Sequence, residues 1–423
     1  MNIIDCLQER GLIEALTSEQ LKVVTQKPIK IYIGFDPTAD SFHLGNLVGI
    51  VILRWFQKFG HTPVGLLGGA TGRIGDPSGK SVERPLLDIA TIEANIGRIR
   101  THFEQVLDFT DPKTKPMIVN NDDWFAKIPF VDFLRDIGKH FRVNVMLTKE
   151  SVKARLESDE GISYTEFSYQ ILQAYDFYHL YKAHNVVLQA GGSDQWGNIT
   201  AGTDLIRKLC AESAYGMTFP LLTRSDGKKF GKTESGAIWL AADRCSPYNF
   251  YQYLYRVADA DVIKLMRMLT FMEMSEIHRY EQEMKKPDYV PNSAQKRLAE
   301  EITRLIHHEE GLQSALRATE AAAPGHASEL SAELFHQMMK DMPHVKLSQA
   351  DVIDRKYVEV AVQTGLAASK GEATRLIAGG GAYLNNARVE DPQLKLTKDH
   401  LIGGEFLLLA AGKKKKILIH IFG

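Results

Sequence analysis

Apolar positions in the first half of the chain alternate between two rhythms. Residues 29–34 (IKIYIG) form a short apolar run ending in glycine, which predicts a buried strand. Residues 47–59 switch to helical spacing, with Leu47, Ile50, Val51, Arg54 and Trp55 on one face. Residues 63–69 (PVGLLGG) return to strand character. Strand, helix and strand at this spacing predict a βαβ unit, hence a parallel sheet with helices on its faces. Further helices are expected over 89–107, 131–138 and 165–181, and a short strand over 186–189 leads into a glycine pair.

After Ser246 the strand signals vanish. Residues 249–268 and 294–316 read as helical, and 321–328 (AAAPGHAS) as a linker of small residues. The tail differs again: helices over 351–364 and 370–377, a break at Gly379–Gly381, then strands near 382–384, 405–409 and 417–421. The expected fold class is α/β, with a Rossmann-like parallel-sheet catalytic domain over 1–245 that includes a dimerisation insertion. An all-α domain follows over 246–320, then a linker over 321–350 and a small α+β domain over 351–423.

A chain of 423 residues is too long for one ordinary core, which agrees with several domains. The formal net charge is -1, so the whole molecule is not a cationic nucleic-acid binder. From Val352 onward, however, eleven Lys/Arg face seven acids, a local excess of +4 that suits a polyanionic partner. Three isolated cysteines (Cys6, Cys210, Cys245) offer neither a disulfide framework nor a zinc site, and they suit a reducing cytosol. The first ten residues lack the apolar core of a secretion signal, and no apolar run is long enough to span a membrane, so the expected location is the cytoplasm.

Three strings carry candidate chemistry. His43-Leu44-Gly45-Asn46 opens the helix after the first strand. A helix N-terminus offers unpaired N–H groups to phosphate, and Gly45 lets a flat base approach the backbone. Lys228-Lys229-Phe230-Gly231-Lys232-Thr233 describes a mobile cationic loop suited to a leaving polyphosphate. Gly191-Gly192-Ser193-Asp194-Gln195-Trp196-Gly197-Asn198 follows a strand, where ligands collect in open parallel sheets, and Asp194 can accept from ribose hydroxyls. Each also has a plainer reading, as a capped helix, a solvated loop or a tight turn. Gly79-Lys80-Ser81 is not a P-loop, because that pattern needs glycine where Ile74 stands; nor does 69–75 fit a dinucleotide fingerprint.

Taken together in this order, these strings resemble the class I aminoacyl-tRNA synthetases, nearest the bacterial tyrosyl enzymes. The residues that carry the resemblance are 32–46 (YIGFDPTADSFHLGN), 68–80 (GGATGRIGDPSGK), 133–140, 163–176 (SYTEFSYQILQAYD), 189–198 and 229–233. The resemblance implies that Tyr32 and Asp176 bind the phenol of substrate tyrosine, and that Asp76, Tyr169 and Gln173 hold its α-ammonium. Asp36, Gln189, Gly191, Asp194 and Gln195 would line the carboxylate and ribose region. Thr38, His43, Gly45 and Asn46 would meet ATP on one side, with Lys80, Arg84, Lys229, Lys232 and Thr233 closing from the other. Tyr169, Gln173 and Asp176 stand at i, i+4 and i+7, so one helix face can present all three. The resemblance further implies Mg²⁺-ATP as a substrate, no protein-bound metal, tRNA(Tyr) as partner and a homodimer formed near 133–147.

The chain departs from the family pattern at Asn46, where a second histidine is usual, at Ile33, where many relatives have cysteine, and at Gly231 and Thr233, where serines are usual. The tail resembles an RNA-binding module of a ribosomal small-subunit protein through 369–377, 383–385 and 412–416. Thr374 there replaces a usual arginine, as Ala410-Ala411 replace two others. Three readings stay open beside this one: a tryptophanyl enzyme, a small adenylyltransferase and a catalytically silent RNA-binding paralogue.

Overall fold

The computed structural model describes residues 2–79, 86–157, 161–233, 236–323, 330–339, 342–412 and 415–422. Two compact units account for it: Met1–Ala241 with Val257–Leu298, and Ala242–Arg256 with Ala299–Gly423. The helical stretch after Ser246 is therefore shared between the units.

The first unit is built on a six-stranded sheet. Its strands are β1 (Ala15–Leu16), β2 (Lys30–Phe35), β3 (Thr62–Leu67), β4 (Met117–Asn120), β5 (Val186–Gly192) and β6 (Tyr215–Phe219), in the spatial order β1-β6-β5-β2-β3-β4. All neighbours run parallel except β1 and β6. The βαβ unit expected from the sequence is β2, helix Leu44–Lys58 and β3. That helix is buried on nearly all sides, from Leu44 through Phe56, so its apolar pattern is broader than the single face expected. The chain proceeds from β2 outward to β3 and β4, then returns to the other side of β2 with β5. The order reverses between β2 and β5, and a crevice opens there beyond the carboxyl ends of the strands. Strands β1, β4 and β6 escape the sequence pattern because they are short, and β4 has no fully buried position to mark it.

The second unit combines helices Pro247–Tyr255 and Ser293–Ala321, the latter from Ala299 on, with a five-stranded sheet. Its strands, after the short hairpin pair β7 (Lys232–Thr233) and β8 (Gly236–Ala237) of the first unit, are β9 (His344–Ser348), β10 (Ala382–Leu384), β11 (Ala387–Arg388), β12 (Phe406–Ala411) and β13 (Lys415–Phe422). Successive residues of β12 face opposite sides. Leu407 and Leu409 pack with Val352, Tyr357 and Leu384, while Phe406 and Leu408 pack with Tyr248, Ala318, Ala322 and Phe335. The tail sheet and the helices before it thus share one core. Ala321, the first residue of the expected linker, ends a helix and is buried; residues 324–329 lie outside the described residues.

Helix Ser293–Ala321 is interrupted at His308, whose backbone stands at φ 58° and ψ -177°. Only glycine adopts that conformation without strain, which for other residues is on the order of 1–3 kcal/mol. The His308 side chain is exposed, so its removal loses little packing. His308→Gly is expected to stabilise the chain by about 1 kcal/mol, the relief being partly offset by the greater entropy of unfolded glycine. Denaturant melts of both proteins check this, and an unchanged or lower midpoint refutes it.

Candidate active site

A cavity of about 350 Å³ occupies the crevice between the ends of β2 and β5. Tyr32, Asp36, Thr38, His43, Gly45, Asn46, Asp76, Tyr169, Gln173, Asp176, Gln189, Gly191, Asp194 and Gln195 all line it. Residues far apart in sequence are gathered there because β2, β5, the start of helix Leu44–Lys58 and one face of helix Tyr164–His184 converge on it.

At the closed end, Asp176 is 2% exposed and accepts hydrogen bonds from Trp124 Nε1 at 2.9 Å and Asn121 Nδ2 at 3.0 Å. Burial raises its carboxyl to about 8, against the opposing pull of those two donors. Tyr32 is 1% exposed, and its hydroxyl has no hydrogen-bond partner among the described residues. Burial first, and the nearby Asp176 charge second, hold its phenol well above the usual range. A buried hydroxyl without a partner is costly, and here it stands beside a buried carboxyl in a cavity.

Further out, Asp36 accepts from Thr71 Oγ1 at 2.8 Å and from Tyr169 Oη at 2.9 Å. A side chain at Gly68 would lie 2.1 Å from Asp36 Oδ1, so glycine is required for this arrangement. Asp76 accepts from Gln195 Nε2 at 2.6 Å and from the Ser78 N–H at 2.9 Å. Asp36 and Asp76 make this part of the cavity acidic, which favours an ammonium group and disfavours polyphosphate.

At the open end, His43 is the N-cap of helix Leu44–Lys58. Its Nδ1 accepts from the Gly45 N–H at 3.0 Å, while Asn46 Oδ1 accepts from the His43 N–H at 3.1 Å. The two side chains expected to reach for an anion are thus first engaged in closing their own helix. Because Nδ1 accepts, the neutral imidazole carries its proton on Nε2, which makes it a donor. A Cβ on Gly45 would sit 2.9 Å from His43 Cε1, so this glycine makes room for the imidazole as well as for a ligand.

The lysine loop is placed differently from the rest. Lys229 and Lys232 are exposed and are not part of the cavity lining, whereas Phe230 and Gly231 between them are buried. The expectation of a mobile loop meets a moored base: Lys264 Nζ donates to Thr223 O at 3.1 Å and Ser225 N–H to Asp261 Oδ1 at 2.8 Å. Ile238 joins the loop to the histidine string, donating to Gly231 O at 2.7 Å and accepting from Leu44 N–H at 3.0 Å. Thr233 pairs with Gly236 in the β7–β8 hairpin. Lys80 and Arg84 lie outside the described residues.

A family model of class I tRNA synthetases for tryptophan and tyrosine matches residues 24–323, and one of a tyrosine–tRNA ligase C-terminal domain matches 334–419. The tyrosine–tRNA ligase of Protochlamydia amoebophila is 56% identical over 420 residues, 99% of each chain. The chain belongs to the class I tyrosyl-tRNA synthetases. The chloroplastic/mitochondrial tyrosine–tRNA ligase of Arabidopsis thaliana is 51% identical over 99% of this chain and 84% of that one. Among solved structures, a C-terminally truncated mitochondrial tyrosyl-tRNA synthetase of Aspergillus nidulans superposes with a TM-score of 0.66. It is 31% identical and covers 74% of this chain and 92% of that one.

Within this synthetase, sequence reasoning gave no role to Thr71, Asn121, Trp124, Asn198 or Trp239. Thr71 and Asn198 fell inside strings already singled out. Asn121 and Trp124 follow the inconspicuous edge strand β4, and no pattern along the chain connects them to Asp176. Trp239 lines the cavity and forms an isolated backbone bridge with His43.

Proposed function

We propose that the chain activates L-tyrosine with Mg²⁺-ATP, forming tyrosyl-adenylate and pyrophosphate, and then transfers the tyrosyl group to the 3′ end of tRNA(Tyr). The observation that carries the choice of tyrosine is the unpartnered Tyr32 hydroxyl beside buried Asp176, a pair suited to a phenol, whose O–H both donates and accepts, and unsuited to the bare edge of phenylalanine. Asp76, Tyr169 and Gln173 receive the α-ammonium in the acidic part of the cavity. Asp36, Gln189, Gly191, Asp194 and Gln195 border the carboxylate and ribose.

The tyrosine carboxylate attacks the α-phosphate and the β-phosphate oxygen leaves with pyrophosphate, so no protein nucleophile is needed. Positioning and charge stabilisation supply the catalysis. His43, as an Nε2–H donor, and Asn46 serve the phosphates from the helix side, with Thr38 nearby. Lys80, Arg84, Lys229, Lys232 and Thr233 serve them from the other. ATP–pyrophosphate exchange with each amino acid tests the reading. Exchange with tyrosine alone supports it; exchange with tryptophan, or with none, rejects it.

The helical segment over 246–320 is assigned to the anticodon side and the domain over 351–423 to RNA binding. Arg375, Lys395 and Lys398 are exposed there, whereas Lys413 and Lys414 lie outside the described residues. Reversing Arg375, Lys395 and Lys398 to glutamate is expected to weaken tRNA binding and to flatten its dependence on salt, by roughly one unit of slope for each phosphate that is no longer neutralised. Tyrosine activation should be unaffected, since the cavity lining lies wholly in the first unit. Filter binding across a salt series checks this, and an unchanged slope rejects RNA binding by these side chains.

No helix among the described residues is long and apolar enough to cross a membrane, and a cytoplasmic location fits a partner such as tRNA. A homodimer is supported by exposed apolar side chains over residues 130–145: Phe130 (66%), Val131 (73%), Val143 (59%) and Val145 (51%). Phe130→Asp with Val131→Asp is expected to halve the mass in sedimentation, and an unchanged mass rejects this face as the interface.

A further inference from the structure

Asn198 lies in the first turn of helix Trp196–Cys210 and is 5% exposed. It is not among the residues lining the cavity, yet its amide connects residues that are. Nδ2 donates to Gln173 Oε1 at 3.0 Å and to Gln195 Oε1 at 3.3 Å. Gln195 in turn donates from Nε2 to Asp76 Oδ2 at 2.6 Å.

The polarity of this chain of amides is dictated from the Asp76 end. A carboxylate only accepts, so Gln195 has to present its NH₂ group to Asp76 and turn its oxygen the other way. That oxygen meets Asn198, which therefore has to present NH₂ in its turn, and the same group reaches Gln173 Oε1. An amide can flip by half a turn with little change of shape, but the flip exchanges donor and acceptor. A flipped Gln173 would offer N–H groups where an ammonium needs an oxygen. The helix that carries Asn198 lies close against helix Tyr164–His184, since a side chain at Gly202 would lie 2.9 Å from Phe177 Cδ1.

We propose that Asn198 is a positioning residue for tyrosine activation: by donating to both glutamine oxygens, it fixes the amide orientation of Gln173 and Gln195. The donor–acceptor pattern that meets the α-ammonium and carboxylate of tyrosine depends on it. Each glutamine oxygen keeps a second lone pair, so the bond from Asn198 does not compete with the substrate. The inference rests on the tyrosine-site reading of Asp76, Gln173 and Gln195 given above.

The test is ATP–pyrophosphate exchange by the full chain carrying Asn198→Asp or Asn198→Ala, each also combined with Gln173→Ala. Asn198→Asp keeps the shape and removes both donors. It is expected to raise the tyrosine KM by about tenfold or more, with the ATP KM changed by less than about twofold. Asn198→Ala should raise the tyrosine KM less, because neither glutamine then faces a repelling carboxylate. In the Gln173→Ala background, the part of the Asn198→Ala effect on tyrosine KM that runs through Gln173 should disappear, so the double variant falls short of additivity. Active-site titration accompanies each assay, since a misfolded fraction lowers apparent kcat and leaves KM alone. An unchanged tyrosine KM, an equal rise in both KM values, or additive effects of Asn198→Ala and Gln173→Ala overturn the proposal. Should Gln173→Ala alone leave tyrosine KM unchanged, the tyrosine-site reading falls and takes this inference with it.

Discussion

A Tyr32→Phe variant is expected to lose discrimination between tyrosine and phenylalanine by roughly ten- to a hundredfold, with a larger loss for Asp176→Ala. The Tyr32 hydroxyl is buried without a partner among the described residues, and it stands beside a carboxyl that is 2% exposed. Bound tyrosine gives both groups a partner; bound phenylalanine leaves them facing a hydrocarbon edge. Removing the hydroxyl removes that penalty for phenylalanine and one favourable hydrogen bond for tyrosine. Asp176→Ala also strands Trp124 Nε1 and leaves Asn121 Nδ2 with Thr71 Oγ1 alone, so that variant will be less stable as well. Ratios of kcat/KM for the two amino acids measure the effect, and unchanged ratios in both variants reject the phenol-binding role.

The same carboxyl has a signature in pH. Its folded value, about 8, lies above the ordinary 3.8 of an unfolded aspartate, so the folded chain holds this proton more tightly. The resulting stability is fully present below about pH 4 and is lost as pH rises toward about 8. Asp176→Asn cannot ionise and should flatten this part of the stability profile. Melts across that range check it, and parallel profiles for the two proteins contradict it.

The second large effect is expected at the lysine loop. Lys229→Ala and Lys232→Ala should each lower kcat for adenylate formation by roughly a hundredfold or more, with little change in the ATP KM. Both lysines are exposed and stand outside the cavity lining, on a loop whose base is tied to helix Asp259–Leu269. The inner cavity is lined by the acids Asp36 and Asp76 and by no lysine or arginine among the described residues, so cations for the departing pyrophosphate have to come from its rim. A group that engages the phosphates as charge shifts onto the leaving oxygen stabilises the transition state more than bound ATP. Stopped-flow measurements that show only a KM change would contradict this.

The β2, helix, β3 unit was legible because its apolar rhythm changes cleanly from the strand period to the helical one. The strand before Gly191-Gly192 was legible for the same reason, and it correctly located the crevice. Strand β9 was not, because the alternation of HVKLS rests on two apolar residues only, Val345 and Leu347, and neither is fully buried. The unbroken apolar run FLLLAA of β12 agrees with burial on both faces, but it does not tell which elements cover each face.

The sequence by itself determined only part of what meets in the cavity. Tyr169, Gln173 and Asp176 share a helix face by periodicity alone, and the motif strings carry enough chemistry to indicate the ligand class. Only the tertiary structure decided how those groups are held. It brought Asn121 and Trp124 onto Asp176 and set Asn198 between Gln173 and Gln195. The reason is physical: local pattern fixes the direction in which a side chain leaves its own helix or strand. The partner that satisfies a buried polar atom comes from wherever the chain returns, and no period along the sequence records that.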